Sequence, residues 1–351
     1  MGGATVPAVV QIAGSFHVVP AGDIPPGARI HRITGETKPV STEHHWPDAP
    51  ADLFGPAPVV VYGMPEAFYH GEVDVLSSTN VRDILLAPNR YYHRRLHPLT
   101  PTENMRNGTI VHAVVLDGVP LDDLVAIGPD VNRRTKAGKE EWAAFVDGLG
   151  DREAVTQARY DTIAGAAAAV LADDTAAWLI ENSRREVSIF WVEHHDGIEV
   201  RCKARIDILA ELGDRLAVYD LKTNGRGVDR KTVRYAISDS GLPIQLAWYK
   251  RAATLAFDRD VASAGIISTF MGEPFDAVCD PLMDVDEVDA DDGCSHSGEA
   301  LFSRAMELCE KAIGKVARPP AHGGCAPVDE HGRPMPRRLR IHPRTLDKYD
   351  N

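Results

Sequence analysis

Between residues 185 and 224 the hydrophobic period of this chain switches from 3.6 to 2, and that switch limits the possible folds more than any other feature. The stretch "REVSIFWVEHHDGIEVRCKARIDILAELGDRLAVYDLKTN" reads as three strands joined at Asp196-Gly197 and Gly213-Asp214, dipeptides suited to tight hairpin turns. Two-residue turns fix register. The first places Glu186 opposite Asp207, and the second places Asp207 opposite Asp220. Three carboxylates then line up across three adjacent strands on one face, with Lys222 two residues further along the last strand. A one-residue slip in either hairpin would send these partners to opposite faces.

Directly opposed like charges destabilise a sheet, so such a row calls for something positive within it. A divalent magnesium or manganese ion fits, because these hard cations take carboxylate oxygens and leave positions for water and phosphate. Ions so placed can stabilise the attacking and leaving oxygens of an in-line displacement at phosphorus. The neighbouring lysine can orient or deprotonate the attacking water, or neutralise phosphate charge. An Asp-x-Lys pair on a strand is by itself a common surface pattern. Here, however, the surrounding "LAVYDLKT" is too apolar for an open edge.

The remaining pattern supplies helices and further strands. Helical signals occur in "SSTNVRDILLAP" (77–88), "TENMRNGTIVHAVVLDG" (102–118), "KAGKEEWAAFVDGL" and the alanine-rich 151–182. After the meander come a helix (242–257), a strand (264–270) and an amphipathic helix (297–317). This order predicts an α/β (mixed α+β) fold, a central mixed sheet flanked by helices. Residues 1–60 are rich in Pro and Gly and read as an irregular arm with two short strands. Residues 61–318 read as the catalytic domain, and 319–351 as a Pro- and Arg-rich tail.

A formal charge of −13 argues against non-specific coating of nucleic acid, though not against a local basic channel. Part of that excess lies in "DVDEVDADDG" (284–293), which lacks EF-hand spacing and reads as a solvated loop. The five cysteines form no CxxC pair. Their scatter favours free thiols over a disulfide framework or a cluster with His296 and His322. No run of 18 apolar residues and no basic-then-apolar leader occurs, so the expectation is a cytoplasmic protein without a membrane segment. Arg133, Arg134, Lys136 and Lys139, just before a helix, are candidate DNA-phosphate contacts, with a solvated loop as the alternative. "RRLHP" (94–98) and "RPMPRRLRIHPR" (333–344) are further basic stretches that could follow a backbone.

"RIDIL…LAVYDLKTN" is similar to the D-(n)-D/E-x-K core of the PD-(D/E)XK nuclease superfamily, which has a restriction-endonuclease-like core. From about 61 to 270 the chain resembles the RecE-type, exonuclease VIII-like exodeoxyribonucleases of phages and prophages. The likeness takes in "VYGMPEAFYHGEVDVLSSTNVRDILLAPNRYYHRRLHP", the G-x-x-x-H segment "NGTIVHAVVLDG", "NRRTKAGKEEW", "EVSIFW" and the Q-x-x-x-Y segment "IQLAWY". The first 60 residues and the tail match nothing in that family. The clustered cysteines of the superfamily's iron–sulfur branch are absent.

The resemblance implies that Asp207, Asp220 and the Leu221 carbonyl bind metal, with His112 at or near it. Glu186 becomes the acidic residue before the hairpin, Lys222 the catalytic lysine, and Gln245 and Tyr249 contacts to the scissile region. Read without it, His112 among valines would be a core histidine. The implied activity is Mg2+- (or Mn2+-) dependent digestion of linear double-stranded DNA from its ends, 5′-to-3′, leaving 3′ single strands. The implied partners are duplex DNA ends, a single-strand annealing protein and other copies in a ring-shaped homo-oligomer. The rivals are an endonuclease or other-polarity nuclease on the same site, a catalytically silent DNA-end-binding protein, and a metal-dependent hydrolase of another substrate.

Overall fold

A computed structural model describes residues 52–71, 75–229, 232–233, 241–281 and 298–317, with strand backbone at 8–12, 15–19, 29–31 and 42–45. The acidic run at 284–293, Cys294, Cys325, His296, His322 and the 319–351 tail lie outside the described residues. The chain opens with β1 (Ala8–Ile12), β2 (Ser15–Val19), β3 (Arg29–His31), β4 (Thr42–His45) and β5 (Val59–Tyr62). Helices α1 (Glu66–Gly71), α2 (Ser78–Leu86), α3 (Pro88–Leu96), α4 (Glu103–Val115) and α5 (Leu121–Leu124) follow. Next come β6 (Val125–Ile127), α6 (Lys136–Asp147), β7 (Glu153–Val155), α7 (Gln157–Ala172) and α8 (Asp174–Glu181). The meander is β8 (Ser183–His195), β9 (Ile198–Leu212) and β10 (Arg215–Asn224). Then come α9 (Leu242–Phe257), β11 (Val261–Phe270), β12 (Ala277–Pro281) and α10 (Gly298–Ala317).

Seven strands form the main sheet in the order β12-β11-β10-β9-β8-β5-β4. The β10/β11 and β4/β5 pairs are parallel and the others antiparallel, so the sheet is mixed. One core packs α2, α9 and α10 against it, and a second packs α4, α7 and α8. The fold is therefore the expected α/β arrangement of a mixed sheet between helices.

Two parts of the sequence reading differ. The first 60 residues hold more strand than the Pro/Gly texture suggested: β1–β3 make a separate sheet, and β4 and β5 extend the main one. The 151–182 stretch is not wholly helical either. It contains β7, and its helix breaks at Asp173, whose side chain accepts from Ala176 N and starts α8 anew. Among the described residues no single helix is long and apolar enough to cross a membrane. The pair α7–α8 passes only jointly and is bent by 84°.

Both hairpins adopt the counted register, closing at His195↔Ile198 and Leu212↔Arg215. The carboxylates do not form a flat row, however. Glu186 has φ +52°, a left-handed conformation costing a non-glycine residue about 1–2 kcal/mol, and the ladder skips it between Arg185↔Ile208 and Val187↔Ile206. The alternation of β9 turns over at the same level. Cys202, Ala204 and Ile206 face the α2–α9–α10 core, whereas Ile208, Ala210 and Leu212 face the α4–α7–α8 core.

Here the sheet also forks. Pairing of β9 with β10 ends at Tyr219↔Ile208, after which β9 continues along β8, and β10 along β11 as far as Asn224↔Phe270. The edge of β9 freed by this split still needs hydrogen-bond partners. Leu76 supplies two, donating to Arg201 O at 2.8 Å and accepting from Lys203 N at 2.8 Å. Trp248 of α9 supplies a third, its indole donating to Lys203 O at 2.9 Å. Asp207 and Asp220 thus sit where the sheet parts, and the opening between the arms is a ready-made cleft.

Candidate active site

Each functional side chain arrives on a different element. α4 starts at Thr102, whose hydroxyl accepts from Met105 N, and buries Val111 and Val115. That seats His112 over the end of β10, where its Nε2 lies 2.8 Å from Leu221 O. Gly108, one turn earlier, allows the approach: a Cβ there would stand 3.2 Å from Thr223 Oγ1. From β10, Leu221 N donates to Asp207 Oδ2 at 3.0 Å, so a side chain replaces the ladder bond lost at the fork.

His112 Nδ1 is 3.8 Å from Glu186 Oε1 and 3.7 Å from Asp207 Oδ2. Ligand atoms of His112, Glu186 and Asp207 all lie within 4.8 Å of one another. Beside them Asp220, fully buried, has Lys222 Nζ 2.6 Å from Oδ2 and accepts from Gln245 Nε2 at 2.8 Å on Oδ1. The same Gln245 amide reaches Tyr249 Oη at 2.9 Å.

The titration behaviour follows from this crowding. Burial, then the Asp220 charge, pushes Asp207 up to about 7. Burial opposes a charge on His112, but Asp207 and the Glu186 hydrogen bond outweigh it and hold the imidazole up to about 9. Burial likewise opposes charge on Lys222, yet Asp220 and Asp207 hold its ammonium above the ordinary lysine range. Burial favours a neutral Glu186, but His112 and Arg205 overcome this and keep it below the usual carboxylate range. Burial holds the Tyr249 phenol neutral.

All of these groups except the fully buried Asp220 line an open cleft of about 1660 Å³ bounded by α1, the start of α2, α4, α7, the middle of β9 and the end of β10. The structure brings together His112, Glu186, Asp207, Asp220, Leu221, Lys222, Gln245 and Tyr249. It does not bring Arg133, Arg134, Lys136 and Lys139 to the cleft. Arg133 stacks over Trp142 at 4.4 Å, and Lys136 pairs with Glu140 at 3.8 Å on α6.

Arg205 was not singled out by sequence. It forms a close ion pair with Glu186 and donates to Met64 O at 2.8 Å. Alternation offered a signal, since Lys203, Arg205 and Asp207 stand at every second position of β9. Arg159 and Asn107, on the other wall, had no comparable signal.

The model of the PD-(D/E)XK nuclease superfamily matches residues 75–326 of the chain. The chain belongs to this superfamily. No curated protein matches it. Among solved structures it is similar to the crystal structure of a "Putative exonuclease" from Eubacterium rectale, at 13% identity and a TM-score of 0.44. That overlap covers 79% of this chain and 96% of the other. A likeness at that level bears on neither fold nor activity.

Superfamily nucleases use divalent metal ions, and this donor set suits one. Two carboxylates, Glu186 and Asp207, converge with the His112 imidazole, and the mutual repulsion seen in the raised Asp207 carboxyl is what a cation would relieve. Within the chain these carboxylates also face positive groups: the His112 imidazole, the Lys222 ammonium on Asp220 and the Arg205 guanidinium on Glu186.

Proposed function

We propose that this superfamily member is a Mg2+-dependent exodeoxyribonuclease of the RecE type, Mn2+ substituting. It digests linear double-stranded DNA from its ends, 5′-to-3′, and leaves 3′ single strands for an annealing protein. The observation that carries the reading is the convergence of His112, Glu186 and Asp207 beside the Asp220–Lys222 pair in an open cleft. Action from ends, polarity, the annealing partner and a ring-shaped oligomer rest on the order of motifs shared with RecE-type enzymes. Arg133, Arg134, Lys136 and Lys139 stand off the cleft and take no part in this proposal.

Asp207, Asp220 and the Leu221 carbonyl, with His112 and Glu186 adjacent, would hold the metal. When bound it supplies Lewis-acid stabilisation of phosphate charge and a more acidic water. Lys222 is held charged, so its ammonium donates to the attacking water or a phosphate oxygen. Gln245 fixes Asp220 Oδ1 and Tyr249 Oη together, leaving the neutral phenol O–H to donate to the substrate backbone. Arg205 restrains Glu186 in its left-handed conformation.

Linear and closed circular duplex DNA, incubated with and without Mg2+, test this reading. Mg2+-dependent loss of linear DNA alone, abolished by Asp220→Ala, is the expected result. Cutting of circles would replace it with an endonuclease, and binding without cutting would replace it with a silent end-binder.

A further inference from the structure

Away from the carboxylates, the wall formed by α4 and α7 carries a charge network that the hydrolytic centre does not use. Arg159 of α7 has a side chain only 11% exposed. Its Nε donates to Asn107 Oδ1 at 2.7 Å and its Nη1 to Glu153 Oε1 at 2.6 Å. The same Glu153 oxygen also takes Arg106 Nε at 3.0 Å. Two guanidinium groups therefore share one carboxylate, and the cluster keeps a surplus positive charge. Arg159 Nη2 is buried and has no hydrogen-bond partner. A tether between α4 and α7 would need neither the surplus charge nor the spare donor. Buried unpaired donors are costly, on the order of 1–3 kcal/mol, so a group that completes this one is expected.

Arg159 and Asn107 both line the cleft, as do Thr223 and Asn224 of β10. Asn107 precedes His112 by five residues of α4, about 7.5 Å along the helix axis. An anion seated here would stand beside the hydrolytic centre, on the arm of the fork carried by β10. A planar guanidinium already held on two edges by Asn107 and Glu153, with its remaining nitrogen unpartnered, suits a phosphate oxygen.

We infer that Arg159, presented by Asn107 and Glu153, is a subsite for a backbone phosphate of the substrate strand, one or two nucleotides from the bond that is cut. This rests on the nuclease reading above and names the group that positions the strand for it. Arg159 is a binding residue in this account and takes no part in the chemical step.

Two measurements test it. The first is anisotropy of a labelled duplex oligonucleotide, with Ca2+ replacing Mg2+, over a range of salt. Arg159→Gln should lower the slope of log K against log[salt] by about 0.9, the value for one duplex phosphate, and Arg159→Lys should restore it. The second is Mg2+-dependent cleavage of oligonucleotides bearing one uncharged methylphosphonate at successive linkages. The wild-type protein should be slowed roughly 10- to 100-fold by the substitution at one fixed offset from the cut. Arg159→Gln should be slow on every oligonucleotide and indifferent at that offset. A wild-type slope and offset profile in Arg159→Gln would overturn the subsite while leaving the nuclease reading intact. Should Arg159→Gln fail to fold, a wild-type scan with no sensitive offset overturns the subsite by itself. A wild-type protein that neither binds nor cuts DNA removes the nuclease reading, and the subsite with it.

Discussion

Metal binding at this site must expel protons, and the structure shows which groups hold them. A divalent ion takes neutral imidazole and ionised carboxylate, yet without metal the His112 imidazole is held up to about 9 and the Asp207 carboxyl up to about 7. At pH 8 His112 is about nine-tenths protonated and Asp207 about one-tenth, so each ion bound releases about one proton. At pH 7 the release rises to about 1.5, and near pH 10 it falls to about 0.1. Affinity should improve about tenfold per pH unit from 7.5 to 8.5 and level off above 9, since each unit of proton competition is 1.36 kcal/mol. Mn2+ titration calorimetry in buffers of different ionisation enthalpy counts the protons directly. His112→Asn should remove the imidazole's share of the release at pH 8, leaving that of Asp207, whose carboxyl rises further once the neighbouring cation is gone. A larger proton release by His112→Asn than by wild type, or none by wild type at pH 8, would refute the reasoning.

The same two groups bear on the stability of the metal-free protein. Each holds its proton more tightly folded than unfolded, so the stability they contribute is lost as pH rises through about 7 for Asp207 and about 9 for His112. The metal-free Tm should accordingly fall between pH 6 and 9 and recover on adding Mg2+, as calorimetry would show; a Tm rising over that window contradicts the charge assignment. Lys222→Met should lower cleavage by about 100-fold or more. It should leave Mn2+ affinity unchanged or tighter, because a cation competing for Asp220 is gone, and a tenfold weaker affinity would instead make Lys222 structural. Asp83, 3% exposed, holds Arg90 at 2.8 Å and Arg94 at 2.6 Å between α2 and α3. Asp83→Ala should cost about 3 kcal/mol in urea unfolding, and a loss under 1 kcal/mol would show that both arginines find water instead.

The meander was legible because its turns are local. Asp196-Gly197 and Gly213-Asp214 set both registers, and those registers bring Glu186, Asp207 and Asp220 to one level of the sheet. Their relation in space was not legible. Glu186 turns left-handed, β9 switches faces at Asp207, and β9 and β10 separate there, all of which depend on packing against α4, α9 and Leu76. The two short strands expected in the first 60 residues were not placed, and the pairing of β4 and β5 with the main sheet was not legible, because Pro and Gly dominate their surroundings and β5 pairs with the distant β8. The break at Asp173 was masked by flanking alanines, although Asp173-Asp174 could have signalled a new helix cap. His112 was readable as a site residue only through the resemblance, since a histidine among valines has the pattern of core. Arg205 and Arg159 lie in ordinary strand and helix sequence, and only the folded chain shows what they touch.

The account stands on one claim, that the convergent side chains at the fork hold a divalent ion. The most direct measurement is anomalous diffraction at the manganese edge from crystals grown with Mn2+. A peak is expected at Asp207, Asp220 and the Leu221 carbonyl, with His112 and Glu186 beside it, absent from Asp207→Asn crystals. No peak there at millimolar Mn2+, or an equal peak in the variant, would contradict it.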